Sequence, residues 1–290
     1  MTITALVPVR NEGWIIGLSL RAALMYCDAA VVLLHACTDN SAAIVAEVAA
    51  EHPGRVTVLV DDGDIWAEMP QRQRMLEAAR DGGATHVATV DADEILTGNL
   101  LPIIRELIEK MYPMRVMQLP GYNLRGGLDR YHANGIWGNR WFSAAFVDDP
   151  RLSWAGDNFH QREPLGVASM CRYGTQNNGG VLHLWGASER RLIAKHRAYK
   201  LTERLRWPTK PVAEIDRMYS LAIHGQPGDR PKDWRYMSVP DAWWEPYTGL
   251  AQYLDLDAEP WQEAYCERLI AEHGEERFKG LDLFRREVSA

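Results

Sequence analysis

A chain of 290 residues, 47% of them hydrophobic, carries enough apolar material for one large domain or a domain with an appendage, which excludes a disordered or fibrous polypeptide. Four cysteines, at 27, 37, 171 and 266, lack the paired short spacings of a zinc site and the density of a secreted disulfide scaffold; no run approaches the roughly 18 apolar residues of a membrane span, so the expectation is a soluble cytoplasmic protein with reduced thiols. The net charge of −7 divides into −9 over residues 1–109, +9 over 110–210 and −7 over 211–290, and a basic middle segment suits a diphosphate, an acidic acceptor or a nucleic-acid backbone as well as a solvated face.

Residues 1–121 alternate short apolar runs with amphipathic stretches, the pattern of a mostly parallel sheet flanked by helices in an α/β fold. Five strands are expected, at Ile3 to Pro8, Ala30 to His35, Val56 to Val60, His86 to Val90 and Val116 to Pro120. Before the fifth, Leu100, Ile103, Ile104, Leu107, Ile108 and Met111 recur at helical spacing, with Asn99 as a candidate cap and Pro102 in the first turn, and that stripe should face the sheet. From Gly121 the period weakens into Gly, Asn, Arg and Trp clusters, which suggest loops and short antiparallel strands. A helix is expected from a cap at Ser188 to just before Pro208. The remainder reads as helices joined by Pro-containing turns, which gives boundaries of 1–121, 122–210 and a helical extension over 211–290.

The segment THVATVDADEIL sets Asp91, Asp93 and Glu94 directly after the fourth apolar run. Carboxylates there project beyond the carboxyl edge of the sheet, where open α/β sheets bind ligands. Two carboxylates one residue apart can share a hard divalent cation that also accepts phosphate oxygens, and such an ion neutralises charge on a departing diphosphate. A turn in which one Asp caps a helix and the others are solvated is the bland alternative.

VPVRNE at Val7 to Glu12, CTDNS at Cys37 to Ser41 and VDADEIL at Val90 to Leu96 together resemble, in order and spacing, the nucleotide loop, the second-strand loop and the DxD segment of family 2 glycosyltransferases of GT-A fold. The resemblance implies a nucleotide-sugar donor. It implies that Asp91 contacts the ribose, the metal or a metal-bound water, that Asp93 ligates Mn²⁺ or Mg²⁺, and that Pro8, Asn11, Glu12 and Asp39 shape the nucleotide pocket. Arg72 and Arg74 fall where relatives place polar contacts to the donor. Many relatives carry an acidic residue just after the second strand; here His35 stands there, either reading the base or filling the strand end.

In GVLHLWGASERRLIAKHRAYK, His183 resembles a late GT-A element that gives a histidine to the metal, and an imidazole favours Mn²⁺ over Mg²⁺. Lys195 and Arg197 on the following helix are candidates for the diphosphate. A hydroxyl acceptor needs a base, and WAGDNFHQREP offers Asp157 first, then Glu163 and His160; inversion is what family membership implies. The expected function is a metal-dependent glycosyltransferase acting on a saccharide or other small hydroxyl acceptor. The basic middle segment and its aromatics admit a rival acceptor, a hydroxylated base in DNA. A nucleotidyltransferase predicts a glycine-rich phosphate loop where only Gly13 occurs, and a non-catalytic nucleotide-sugar-binding module is the third possibility.

Overall fold

Alternation along the first strand sets the layering. In β1 (Ile3–Val9), Ile3, Ala5, Val7 and Val9 point into one apolar cluster and Leu6 into another, and all five are buried. A strand covered on both faces must have helices on both sides, and it has them. The computed structural model describes residues 1–63, 66–157, 161–175, 177–224 and 233–284. Following β1 come α1 (Ile16–Leu24), β2 (Ala29–His35), α2 (Ser41–Glu51), β3 (Val56–Asp61), α3 (Glu68–Asp81), β4 (His86–Thr89), β5 (Glu94–Leu96), α4 (Leu101–Glu109) and β6 (Arg115–Asn123). The later elements are β7 (Arg130–His132), α5 (Gly135–Gly138), β8 (Arg140–Val147), β9 (Ser169–Arg172), β10 (Val181–His183), α6 (Glu189–Arg206), α7 (Val212–Tyr219), α8 (Leu221–His224), β11 (Tyr236–Ser238), α9 (Asp241–Trp244) and α10 (Trp261–His273).

All five expected strands form, in the expected α/β arrangement of a mostly parallel sheet between helices. The order is β3-β2-β1-β4-β8-β6-β10-β5, with β9 paired to β6. Strands β3, β2, β1 and β4 are mutually parallel; β8 is antiparallel to both β4 and β6, and β10 is parallel to β6. Two antiparallel steps restore the direction, so β6 and β10 run the same way as β1 and β4. Their carboxyl ends therefore share one edge of the sheet. The fifth expected strand does not sit against the fourth, because β8 from the weakly patterned middle segment is inserted between them.

Helix α1, α2 and α4 residues (Ile16, Leu20, Val45, Val48, Ile104 and Ile108) pack on one face of the sheet, and Met69, Met75, Leu76 and Ala79 of α3 pack on the other. The stripe on α4 faces the sheet through Ile104 and Ile108, with Pro102 in the first turn, whereas Ile103 is exposed. Asn99 does not cap it: a 3-10 turn precedes the helix, and the Asn99 amide donates instead to Asn178 O at 2.9 Å. Ser188 does cap α6, accepting from the Arg191 amide at 3.5 Å. The last segment is tied into the sheet, since Trp243 and Tyr247 join a cluster with Ile95, Tyr122 and Leu182, and the Tyr247 hydroxyl donates to Leu96 O at 2.7 Å. Within the described residues no helix is long and apolar enough to cross a membrane.

Leu6 is fully buried on β1 and Val60 is 55% exposed on the edge strand β3. Leu6→Ala should lower the free energy of unfolding by about 3 kcal/mol, and Val60→Ala by under about 0.5 kcal/mol, read from urea midpoints at constant slope.

Candidate active site

Two loops at the carboxyl edge are laced together by backbone amides donating to side-chain oxygens. Asn11 adopts a left-handed φ of 53°, a conformation asparagine tolerates better than most residues. That turn aims its Oδ1 at the amides of Thr38 and Asp39, which donate at 2.6 and 3.1 Å. Asp39 in turn accepts from the Gly13 amide and the Ser41 amide, both at 2.9 Å. A Cβ on Gly13 would stand 1.9 Å from Asn40 Oδ1, so a side chain here would require Asn40 to move. Pro8 lies near the end of β1, leading into the loop.

The acidic turn follows β4. Between β4 in the middle of the sheet and β5 at its far end, residues 90–93 cross the carboxyl edge, and the Leu184 amide donates to Asp93 O at 2.8 Å. That bond seats Asp93 beside the end of β10. Its carboxylate meets Lys195 Nζ at 2.9 Å through one oxygen and His183 Nε2 at 3.4 Å through the other. Asp91 meets Arg72 at 3.2 Å and Arg162 at 2.8 Å. Arg162 also binds Glu94 at 2.6 Å and donates to Thr89 O at 3.0 Å, while Arg72 reaches back to Glu68 at 3.0 Å. Glu12 is near enough to feel the Asp93 charge, and the Trp14 indole holds it, its Nε1 donating at 2.5 Å.

The electrostatics divide these acids. Burial works to raise the Asp91 carboxyl, but Arg162 and Arg72 overcome it and hold the group at about 2. Burial acts on Asp93 in the same sense, and Lys195 with His183 drives it well below the ordinary carboxylate range. Glu94 is raised by burial, with Arg162 opposing. Glu12 is pushed up to about 7 by burial and by the Asp93 charge, against Lys195. Lys195, despite burial, is held well above its usual value by Asp93.

The structure thus brings Glu12, Arg72, Asp91, Asp93, His183 and Lys195 together, with Asn11 and Asp39 in the adjoining loops. Arg74 stands apart, 46% exposed, bonded to Asp61 at 3.2 Å and to Val60 O at 3.1 Å. His35, 3% exposed at the end of β2, bonds Gly63 O through Nε2 at 2.7 Å and stands edge-on to Trp66. Asp157 is exposed; Glu163 accepts a hydrogen bond from the Ser143 hydroxyl next to Arg162; His160 lies outside the described residues. Sequence reasoning missed Arg162, Glu68, Trp14 and Asn123. The signal for Arg162 was available: two adjacent acids at a buried strand end require a cation, and residues 161–163 lie in the one loop already singled out for its polar cluster.

Part of the basic middle segment is paired with acids elsewhere in the chain, while Lys110, Arg130, Arg140, Arg151 and Arg172 stay exposed. Arg162 and Lys195 serve the acidic turn, Lys200 is fully buried and pairs with Asp216 at 2.9 Å, and Arg190 pairs with Glu259 and Glu263 at 3.1 and 2.7 Å.

Asn123 decides whether His183 suits a metal. The Trp185 indole, a donor only, gives its Nε1 hydrogen to Asn123 Oδ1 at 2.9 Å, and Asn123 Nδ2 donates to Trp137 O at 2.9 Å. His183 Nδ1 lies 3.0 Å from that same oxygen and must therefore be the donor. Protonated, the ring donates from Nε2 to Asp93 Oδ1 at 3.4 Å; neutral, it presents a lone pair there and the two atoms face each other as acceptors. A divalent cation between them satisfies both, since neighbouring ligands of such an ion stand about 3 Å apart. Among the described residues no group of three or more His, Cys, Asp or Glu side chains is arranged to hold a metal, so an ion here would have only Asp93 and His183 from the chain and would need its remaining ligands from substrate and water.

No protein-family model matches the chain, and no curated protein matches it. Among solved structures, residues 1–349 of S. aureus TarS are similar at a TM-score of 0.42 and 13% identity, covering 78% of this chain and 71% of that one. The same fragment in complex with UDP gives 0.42 and 14%, over 77% and 71%. Glucosyl-3-phosphoglycerate synthase from Mycobacterium tuberculosis, in complex with Mn²⁺, UDP and phosphoglyceric acid, gives 0.32 and 16%, over 42% of this chain and 43% of that one.

Because Glu12 holds its proton more tightly in the folded chain than the ordinary value of 4.5, the native state binds more protons between about pH 4.5 and 7, and this group's contribution to stability falls as pH rises through that window. Glu12→Gln should remove that fall and make the chain about 3 kcal/mol more stable than the parent at pH 8, with little difference at pH 4.5. Denaturant midpoints across pH 4.5–8 read the effect.

Proposed function

We propose that this chain is a glycosyltransferase that moves a sugar from a nucleoside-diphosphate donor to the hydroxyl of a saccharide or other small acceptor, with inversion at the sugar carbon. The meeting of Asp93, His183 and Lys195 at one edge of the sheet carries this reading. They come from the ends of β4 and β10 and from α6, and together they offer a cation-binding pair next to a fixed positive charge. That is what a departing diphosphate needs.

Pro8 near the end of β1 and the loops holding Asn11 and Asp39 form the nucleotide side of the pocket, with residues 1–121 as the donor-binding part, 122–210 as the metal and acceptor part and 211–290 as the helical extension. Arg72 holds Asp91 where it faces the ribose or a metal-bound water. Asp93 and His183 hold the divalent ion, and a mixed oxygen and nitrogen donor set favours Mn²⁺ over Mg²⁺. When bound, that ion supplies positive charge to the diphosphate. Lys195 is the residue to add a second positive charge, from the oxygen of Asp93 opposite the histidine. Glu12 beside it limits the excess of positive charge before the donor arrives. His35, bonded to the β3–α3 loop, would touch a base only through the surroundings it orders, and Arg74 would reach the donor only by leaving Asp61.

On the acceptor side, the hydroxyl oxygen attacks the anomeric carbon as the bond from that carbon to the diphosphate oxygen breaks, and the hydroxyl proton passes to a carboxylate. Asp157 is the first candidate, exposed and free to meet an incoming acceptor. Glu163 is the second, held by Ser143 and linked through Arg162 to the acidic turn. His160 stays third. A saccharide or small-molecule acceptor is preferred to a DNA base because the net charge of −7 opposes nonspecific binding to a polyanion.

Asp93→Asn should lower transfer at least about a hundredfold with the fold retained. Asp157→Asn should cut kcat by roughly 10² to 10⁴ while leaving donor binding unchanged, and Glu163→Gln should cut it far less. His183→Ala should shift the Mn²⁺ titration of turnover to higher concentration. Parent-like turnover by Asp93→Asn with saturating donor and metal would exclude this reading.

A further inference from the structure

Part of one face of the sheet is left open beside the loop that carries Glu163. On β6, Met117 and Leu119 pack on the side of α1, α2 and α4, so Val116, Gln118 and Pro120 face the side of α3. Register carries that face to both neighbours: Ser143 and Trp141 of β8 stand opposite Gln118 and Pro120, and Arg172 of β9 stands opposite Gln118 from the other side. Leu152, Trp154 and Val167 cover Val116 and Phe146. Beyond that cover Gln118 and Trp141 are only half-buried, and Met170 and Arg172 are exposed. Contacts within the row fix it. Gln118 Nε2 lies 3.5 Å from Ser143 Oγ and 3.3 Å from Met170 Sδ, and the Ser143 hydroxyl donates to Glu163. The row therefore starts at a candidate base and ends at a cation.

That cation is held in place but not neutralised. Arg151 and Arg190, exposed arginines of the same segment, pair with Asp149 and with Glu259 and Glu263. Arg172 pairs with no acid among the described residues; its guanidinium lies instead 4.9 Å from the centre of the Trp141 ring. Stacking on an indole restrains the side chain and leaves its N–H fork free for a carboxylate or a phosphate. Trp141 Nε1 and Gln118 Oε1 are likewise without partners among the described residues, which adds an open donor and an open acceptor to the row. Neighbouring strands lie about 4.8 Å apart, so the backbone of Arg172 is roughly 10 Å from that of Ser143, a span that one sugar ring with a charged substituent bridges. Glu163 would repel an anion set directly against it, but a separation near one Debye length of about 8 Å screens most of that repulsion.

We propose that the hydroxyl acceptor is anionic, a small sugar or hydroxy acid whose carboxylate or phosphate binds Arg172 where it lies on Trp141, while Gln118 and Trp141 Nε1 orient the part that bears the attacking hydroxyl. This acceptor class presupposes the transfer reaction proposed above, whereas anion binding at Arg172 is measurable without it.

Saturation-transfer NMR on the full chain, without nucleotide or metal, compares glucose 6-phosphate and glucuronate with glucose; which charged sugar binds separates phosphate from carboxylate. At least one should bind at least about tenfold more tightly than glucose. Arg172→Gln should remove that advantage and Arg172→Lys should restore part of it. Arg115→Gln, which takes another exposed arginine from the opposite end of β6, should leave it intact and so exclude an effect of net charge alone. Lys195→Gln should also leave it intact. The proposal would be overturned if neither charged sugar bound better than glucose, if the advantage survived Arg172→Gln, or if it were lost in Lys195→Gln and kept in Arg172→Gln, which would put the anion at the diphosphate position. The change in Tm produced by nucleoside diphosphate with Mn²⁺, expected to be the same in Arg172→Gln as in the parent, separates the two readings. A nucleotide response without charged-sugar binding would overturn the acceptor class alone; charged-sugar binding at Arg172 with no nucleotide response in the parent would overturn the transfer reading and the acceptor role with it.

Discussion

Negative charge crowded at the end of β4 has to be neutralised inside the protein, and the rest of the structure is arranged around that need. Asp93 and Glu94 are almost fully buried and Asp91 partly so, and Glu12 and Glu68 stand close by. Isolated carboxylates in such a place would give up their charge or unfold the edge of the sheet. Arg72 from α3, Arg162 from the loop after β8 and Lys195 from α6 supply the balance. Each comes from a different part of the chain. The asymmetry of charge along the sequence is therefore in part an internal pairing between segments, in which a basic middle answers acidic flanks.

That balance also prepares the edge for a ligand. Cations are usually costly to gather, and here the acids hold them in place before any substrate arrives, which would lower the reorganisation needed for the proposed diphosphate to bind. Sheet direction does the remaining positioning. The double reversal through β8 returns β6 and β10 to the direction of β1 and β4, so Asn123, His183, Asp93 and Asn11 all fall at one edge although they are far apart in sequence. Asn123 then fixes which nitrogen of His183 carries hydrogen, and this leaves the other to face Asp93.

Much of this was legible in the amino-acid order, and the exceptions have physical causes. Strands β1, β2 and β4 and helix α4 announce themselves because both faces of the central sheet are covered, giving apolar runs broken by helical periodicity, and the edge strand β3 is legible from its β-branched run alone. Ser188 is read correctly because a cap acts locally, through its own side chain and an amide three residues on. Asn99 misleads for the converse reason: a tertiary partner, Asn178, captures its amide. The insertion of β8 could not be read, since strand order is decided by contacts across the molecule and not by any local pattern. Arg162 escaped notice because a single arginine in a loop has no periodicity, and only the burial of Asp91 and Glu94 explains its place. Arg72 and Arg74, two residues apart, looked equivalent; helix geometry turns one inward to Asp91 and the other outward to Asp61.

The central claim is that Asp93 and His183, backed by Lys195, hold a divalent ion and through it a nucleoside diphosphate. Thermal unfolding measured with each common nucleoside diphosphate, with and without Mn²⁺, tests it most directly, because a ligand that binds only the native state raises Tm. One nucleotide should raise Tm by about 5 °C in the presence of Mn²⁺, by far less without it, and not at all in Asp93→Asn. A chain whose Tm is moved by no nucleoside diphosphate at millimolar concentration with Mn²⁺, or moved equally in Asp93→Asn, would contradict the account.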